Sequence, residues 1–66
     1  MKNNIKVQRA IHKLTQAELA EKIGVSRQTI NAMEAGKYVP STVLALKLSA
    51  LFSVGVNDIF KLEEGE

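Results

Sequence analysis

The sequence predicts an all-α protein, a compact bundle of about five short helices, and three observations carry that expectation. Apolar residues recur at three- and four-residue steps within several short segments, the period of a helix with one buried face. Glycine, proline and cap-forming Ser or Thr stand between those segments, where helices start and stop. Finally, 45% of the 66 residues are hydrophobic but only 5% are aromatic, so the core must be small and aliphatic, which suits short packed helices. A chain of this length buries only about 60% of its extended surface. Modest stability is expected of it alone, and a dimer would help.

Residues 1–4, MKNN, read equally as a frayed tail or a short strand. A first helix is expected from about Asn4 to His12, with Ile5, Gln8, Arg9 and His12 at helical spacing and Val7 and Ile11 completing an apolar stripe. Leu14 anchors the link to the next element.

The stretch 16–35, QAELAEKIGVSRQTINAMEA, organises the chain as two short helices hinged at a glycine. In the first, Ala17, Leu19, Ala20 and Ile23 share one face that must be buried. Thr15 caps it, and Glu18 three residues on reaches back to the cap, making a capping box. Gly24 stops it, because glycine enters the left-handed conformation without a Cβ penalty. Val25 turns inward, Ser26 caps the second helix, Ile30 and Met33 are buried, and Gly36 ends it.

After Gly36, KYVPST is a loop, since Pro40 forces Val39 out of the helical region and Ser41 caps the next helix. That helix is expected from about Thr42 to Phe52. It is apolar around more than one face, more than a lone core of this size needs, so part of its surface is expected to be shared with another chain. Ser53 and Gly55 mark a break before a short final helix, Val56 to Phe60. The tail KLEEGE is expected either to be disordered or to extend from Ile59 to Leu62 and pair with the N-terminal residues in a small antiparallel sheet. The sequence leaves both open. No repeat, low-complexity stretch or linker divides the chain, and 1–66 is read as one domain.

The side chains left outside on the second motif helix are Arg27, Gln28, Thr29, Asn31 and Ala32. An ordinary exposed helix carries Glu/Lys pairs four residues apart. This one has no acid on that face and offers instead the donors and acceptors that read base edges in a major groove. Gln28 can donate to and accept from adenine, and Arg27 can take guanine or hold a phosphate; Thr29 and Ala32 can meet a thymine methyl, and Asn31 lies in the same reach. Taken singly, Asn31 and Thr29 read more simply as a solvated face, whereas Gln28 does not. Ser26 stands at the cap beside them. Gln16 opens the first motif helix, where backbone N–H groups and the helix dipole favour a phosphate, and Lys37 and Tyr38 come after the second as backbone contacts.

Through LTQAELAEKIGVSRQTINAMEAGKYVPS and the helical segment after it, the chain resembles the lambda Cro and repressor (Xre) family of helix-turn-helix proteins. The resemblance covers nearly the whole chain, with small Ala20 where the helices cross, Gly24 at the turn and Leu19, Ile23, Val25, Ile30 and Met33 inside. It implies the lambda repressor-like fold and a DNA-backbone contact at Gln16. It also bears on Arg9, which is either a solvated charge or a partner for Glu34, and favours the structural ion pair. Some short stand-alone members of the family carry the terminal sheet. Two departures stand out. Ala35 replaces an Asn that resembles a phosphate ligand, and Ser53 and Gly55 exchange the usual glycine and Ser or Thr cap.

The expected function is that of a DNA-binding transcriptional regulator, a repressor acting as a homodimer on a pseudo-palindromic operator. Its rival is an antitoxin-like or adaptor module that holds a protein partner with the apolar helix 42–52. An RNA target lacks stacking positions, since of Tyr38, Phe52 and Phe60 the last two read as buried. Net charge is +2, unevenly placed: residues 1–37 carry seven Lys/Arg against three Asp/Glu, and residues 38–66 carry two against four. Such asymmetry suits a phosphate footprint, though a small excess is common on other proteins. With no cysteine, there is no disulfide framework, thiol nucleophile or thiolate metal site. The lone His12 makes neither a metal site nor a triad, and no paired carboxylates or glycine-rich phosphate loop are visible, so no enzyme, cofactor, metal or small-molecule effector is expected. MKNNIKVQRAIHK lacks the apolar core of a signal peptide and no run is long enough to span a membrane, so a cytoplasmic protein is expected.

Overall fold

The computed structural model describes all 66 residues. Five helices, α1 (Ile5–Ile11), α2 (Gln16–Ile23), α3 (Arg27–Glu34), α4 (Thr42–Phe52) and α5 (Val56–Ile59), lie between two short strands, β1 (Lys2–Asn3) and β2 (Phe60–Lys61). The strands pair antiparallel, Lys2 opposite Lys61 and Asn3 opposite Phe60. The backbone bond from Asn4 N–H to Ile59 O, 2.9 Å, continues the ladder.

The tail is therefore ordered in the structure rather than loose, and the final helix ends one residue earlier than Val56 to Phe60. Phe60 is 8% exposed. As a β residue it turns its ring into the core while its backbone meets Asn3, which it could not do from a continued helical turn. Beyond β2, Glu63 and Glu66 each place a carboxylate oxygen 3.1 Å from the Met1 ammonium.

Helices α1 to α4 each end in a left-handed residue: Lys13, Gly24, Gly36 and Ser53 have φ of 56°, 75°, 75° and 55°. In each case the next N–H folds back onto the last turn, as in Val25 to Ala20 O at 3.0 Å and Val54 to Ser49 O at 3.2 Å, satisfying carbonyls the helix leaves free. Glycine takes this conformation without strain at Gly24 and Gly36, whereas Lys13 and Ser53 adopt it with a Cβ. Ser41 caps α4 by accepting from Leu44 N–H at 3.2 Å. Gly55 begins α5 with no side chain, and the Asp58 carboxylate accepts from its N–H at 3.0 Å.

One core gathers Ile5, Leu19, Ala20, Ile23, Ile30, Met33, Leu48, Phe52, Ile59 and Phe60, with Leu14, Val25, Leu44 and Leu51 packed against it. Two expected apolar faces differ. Val7 and Ile11 are 56% and 64% exposed; at roughly 100° per residue they stand opposite Ile5, Gln8, Arg9 and His12, and only the latter side faces the bundle. Ala17 is exposed as well, since it sits at the flank of the arc that Leu19, Ala20 and Ile23 define. His12, outside α1, lays its ring near Phe52, with centroids 5.3 Å apart.

Candidate nucleic-acid interface

Helix α2 is started by a complete capping box. Glu18 N–H donates to Thr15 Oγ1 and Thr15 N–H donates to Glu18 Oε1, each at 3.0 Å. The bond from the Thr15 backbone is the chief reason the Glu18 carboxyl is held below its ordinary range. Gly24 then reverses the chain, and Ser26 begins α3 by accepting from Thr29 N–H at 3.1 Å. With Ile30 and Met33 buried at 0% and 1% exposure, the remaining faces of α3 are committed to the outside.

Arg27, Gln28 and Asn31 are exposed there, whereas Thr29 and Ala32 are half-buried. Thr29 differs from the expected open reader in another respect, because its hydroxyl lies 2.9 Å from Ser26 Oγ and serves the helix start. The Gln28 amide takes no part in the hydrogen bonds around it. Ser26, Lys37 and Tyr38 are exposed on either side of α3.

Glu34 is the one acid on α3, and it is neutralised from two directions. Arg9 Nε donates to Oε2 at 2.7 Å and Arg9 Nη2 to Oε1 at 3.2 Å, a two-pronged pair, while Arg9 Nη1 donates to Leu14 O at 3.0 Å. Gln16 Nε2 adds a bond to Glu34 Oε1 at 3.2 Å. Burial alone would push the Glu34 carboxyl up. The bonds from Arg9 and Gln16, with the charges of Arg9 and Lys6, outweigh it and hold Glu34 below the ordinary carboxylate value. The same pair holds the Arg9 guanidinium more firmly protonated.

Gln16 is also turned across to the outer face of α3. Its amide lies 3.4 Å from Asn31 Oδ1, and its carbonyl oxygen accepts from Arg27 Nε at 3.5 Å. The structure thus brings together Gln16, Arg27, Asn31 and, beneath them, Glu34 and Arg9. It leaves Gln28 free and sets Lys37 and Tyr38 beyond the helix end.

One positioning residue has no sequence signal. Asn3 Nδ2 donates to Met33 O at 2.8 Å, holding the last turn of α3 from 30 residues away. No local spacing marks such a contact. Elsewhere, no cluster of His, Cys, Asp or Glu stands where a metal ion could be held, and no helix is long and apolar enough to cross a membrane.

Two packed helices, a glycine turn and an outward second helix without a free acid define a helix-turn-helix protein. The helix-turn-helix family model matches residues 5–59, and the chain belongs to that family, in its lambda Cro and repressor branch. It is 56% identical over 66 residues to an uncharacterized HTH-type transcriptional regulator of Methanocaldococcus jannaschii, covering 100% of both chains. It is 50% identical to the uncharacterized HTH-type transcriptional regulator YgzD of Bacillus subtilis, covering 97% of each. Among solved structures, the SOS-response transcriptional repressor LexA from Eubacterium rectale superposes with a TM-score of 0.80 at 28% identity, covering 96% of this chain and 67% of that one.

Proposed function

We propose that the protein is a sequence-specific double-stranded DNA-binding transcriptional regulator, a single helix-turn-helix domain acting as a homodimer on a pseudo-palindromic operator. Helix α3 enters the major groove by its N-terminal half. Arg27 and Gln28 read base edges, with Asn31 and the flanks of Thr29 and Ala32 beside them, and each good two-pronged contact discriminates by about 1–3 kcal/mol. Ser26, Gln16, Lys37 and Tyr38 meet the sugar-phosphate backbone on either side. Occluding the operator then represses transcription, in keeping with relatives named as transcriptional regulators.

The observation that carries this reading is the treatment of Glu34. A helix presented to phosphates must not show them a carboxylate, and the only one on α3 is paired with Arg9 and Gln16 and is 10% exposed. The outer face is left with one full positive charge, Arg27, and neutral amides.

The test is a selection from random duplex DNA with the purified protein and with Gln28→Ala, at two salt concentrations. A pseudo-palindromic consensus that relaxes at one base pair per half-site in the variant is the expected result. Absence of any consensus, with binding that vanishes for both proteins as salt rises, refutes it.

A further inference from the structure

The two-stranded sheet ties the ends of the chain together, and its outer face carries a charge arrangement that this role does not call for. Lys2 stands directly opposite Lys61, and both are exposed. Successive strand residues point to opposite faces. Phe60 and its partner Asn3 turn inward, the one into the core and the other to Met33 O, so Lys2 and Lys61 share the outer face. Like charges directly opposite one another destabilise an antiparallel pair. No carboxylate relieves them, because the ion pairs of the chain are those of Met1 with Glu63 and Glu66 and of Arg9 with Glu34.

The sheet lies beside the end of α3. The Met1 carbonyl oxygen is 3.7 Å from where a Cβ on Gly36 would stand, and Lys2 lines a hollow of about 340 Å³ there with Glu34, Ala35, Gly36 and Glu63. Both acids of that hollow are paired, Glu34 with Arg9 and Glu63 with the Met1 ammonium, whereas Lys2 is not. Lys61 shares a second hollow with Lys2 and Asp58, and the Asp58 carboxylate accepts from Gly55 N–H. Lys37, one residue beyond Gly36, is exposed at the same helix end.

We propose that Lys2 and Lys61 hold between them a phosphate of the DNA backbone, next to the one that Lys37 meets, so that the sheet is a second grip on the duplex. The inference rests on the DNA-binding reading above and extends it to a part of the fold which that reading leaves unused. A phosphate between the two ammonium groups turns their repulsion into two attractive contacts. The carbonyl end of α3 repels phosphates, and Ala35 and Gly36 carry no polar side chain to offset it, so a cation from β1 supplies what the helix end lacks. Lysines on strands also guard free edges against pairing with other chains. That role is served at any register, and it requires neither that the two face each other nor that the neighbouring acids be neutralised.

The experiment titrates the DNA site selected from random duplexes with the wild type, Lys2→Gln/Lys61→Gln, Lys2→Arg/Lys61→Arg and, as a control, Lys22→Gln, a lysine exposed on α2. Titrations run at several salt concentrations and with a neutral methylphosphonate at one backbone position at a time; thermal melts without DNA check each fold. The double Gln variant is expected to keep the consensus, to bind all sequences more weakly alike, and to lose about 1 from the salt slope per protomer. It is also expected to be indifferent to a methylphosphonate that weakens the wild type. The Arg variant and Lys22→Gln are expected to match the wild type, and the double Gln variant to melt at or slightly above it, its opposed charges being gone. A double Gln variant with the wild-type slope and methylphosphonate profile, or one no weaker than Lys22→Gln, overturns the phosphate contact and leaves the DNA reading standing. A melt well below wild type makes the lysines supports of the fold and overturns it too. A wild type that selects no duplex overturns the DNA reading and this contact with it.

Discussion

Arg9 on α1 places its Nε 2.7 Å from Oε2 of Glu34, the last residue of α3, and the two side chains are only 16% and 10% exposed. The pair ties the first helix to the far end of α3. It also neutralises the one acid that α3 carries.

Breaking the pair from one side leaves a poorly solvated charge, which costs more than the pair itself contributes. Arg9→Ala and Glu34→Ala are each expected to destabilise the fold by about 2–3 kcal/mol. The double variant Arg9→Ala/Glu34→Ala is expected to lose less than the sum of the two single losses, the non-additivity expected of contacting residues. Urea denaturation of the four proteins measures this cycle, and strictly additive losses would show that the two residues do not act together.

The pH dependence has a definite sign. Glu34 titrates below its ordinary value of 4.5 in the folded state, so the unfolded chain takes up the proton first. Its contribution to stability is complete above that ordinary value and is lost as pH falls through the depressed folded value. Glu18, depressed by its capping box, acts in the same direction. The urea midpoint is expected to fall as pH drops below the ordinary carboxylate range, and to fall less steeply in Glu34→Gln.

Ser53 holds a left-handed conformation at φ 55° where glycine would be unstrained. Ser53→Gly is expected to stabilise the fold by about 0.5–1 kcal/mol. Gly24→Ala is the converse. Open space surrounds its Cβ direction, so its cost is the left-handed backbone alone, about 1–2 kcal/mol. Thermal melts of both variants check the pair of signs.

On DNA, Gln28→Ala is expected to cost about 1–3 kcal/mol and to relax one base pair per half-site. Lys37→Ala is expected to weaken all sequences alike and to reduce the salt slope by about 1. Titrations against the selected site at several salt concentrations separate the two effects.

Much of this architecture was legible in the chain. The Thr15–Glu18 box, the Gly24 stop, the Ser26 and Ser41 caps and the bounds of α4 all depend on residues within a turn of each other, and local spacing reports local hydrogen bonds faithfully. What misled was adjacency on a helix without knowledge of the partner side. Val7 and Ile11 form a real stripe, but the bundle lies against the opposite face of α1. Phe60 reads as a helical residue until Asn3 is seen to pair with it.

The sequence by itself determined the helix-turn-helix unit, because caps, glycine stops and apolar period act over three to five residues and require no distant partner. Only the tertiary structure decided which way the ends of the chain close and what Gln16 and Glu34 face. β1 meets β2 across nearly the whole chain, Asn3 reaches Met33 over 30 residues, and Gln16 reaches Glu34 over 18. Contacts of that separation are selected by the packing of the whole core, so no local pattern announces them.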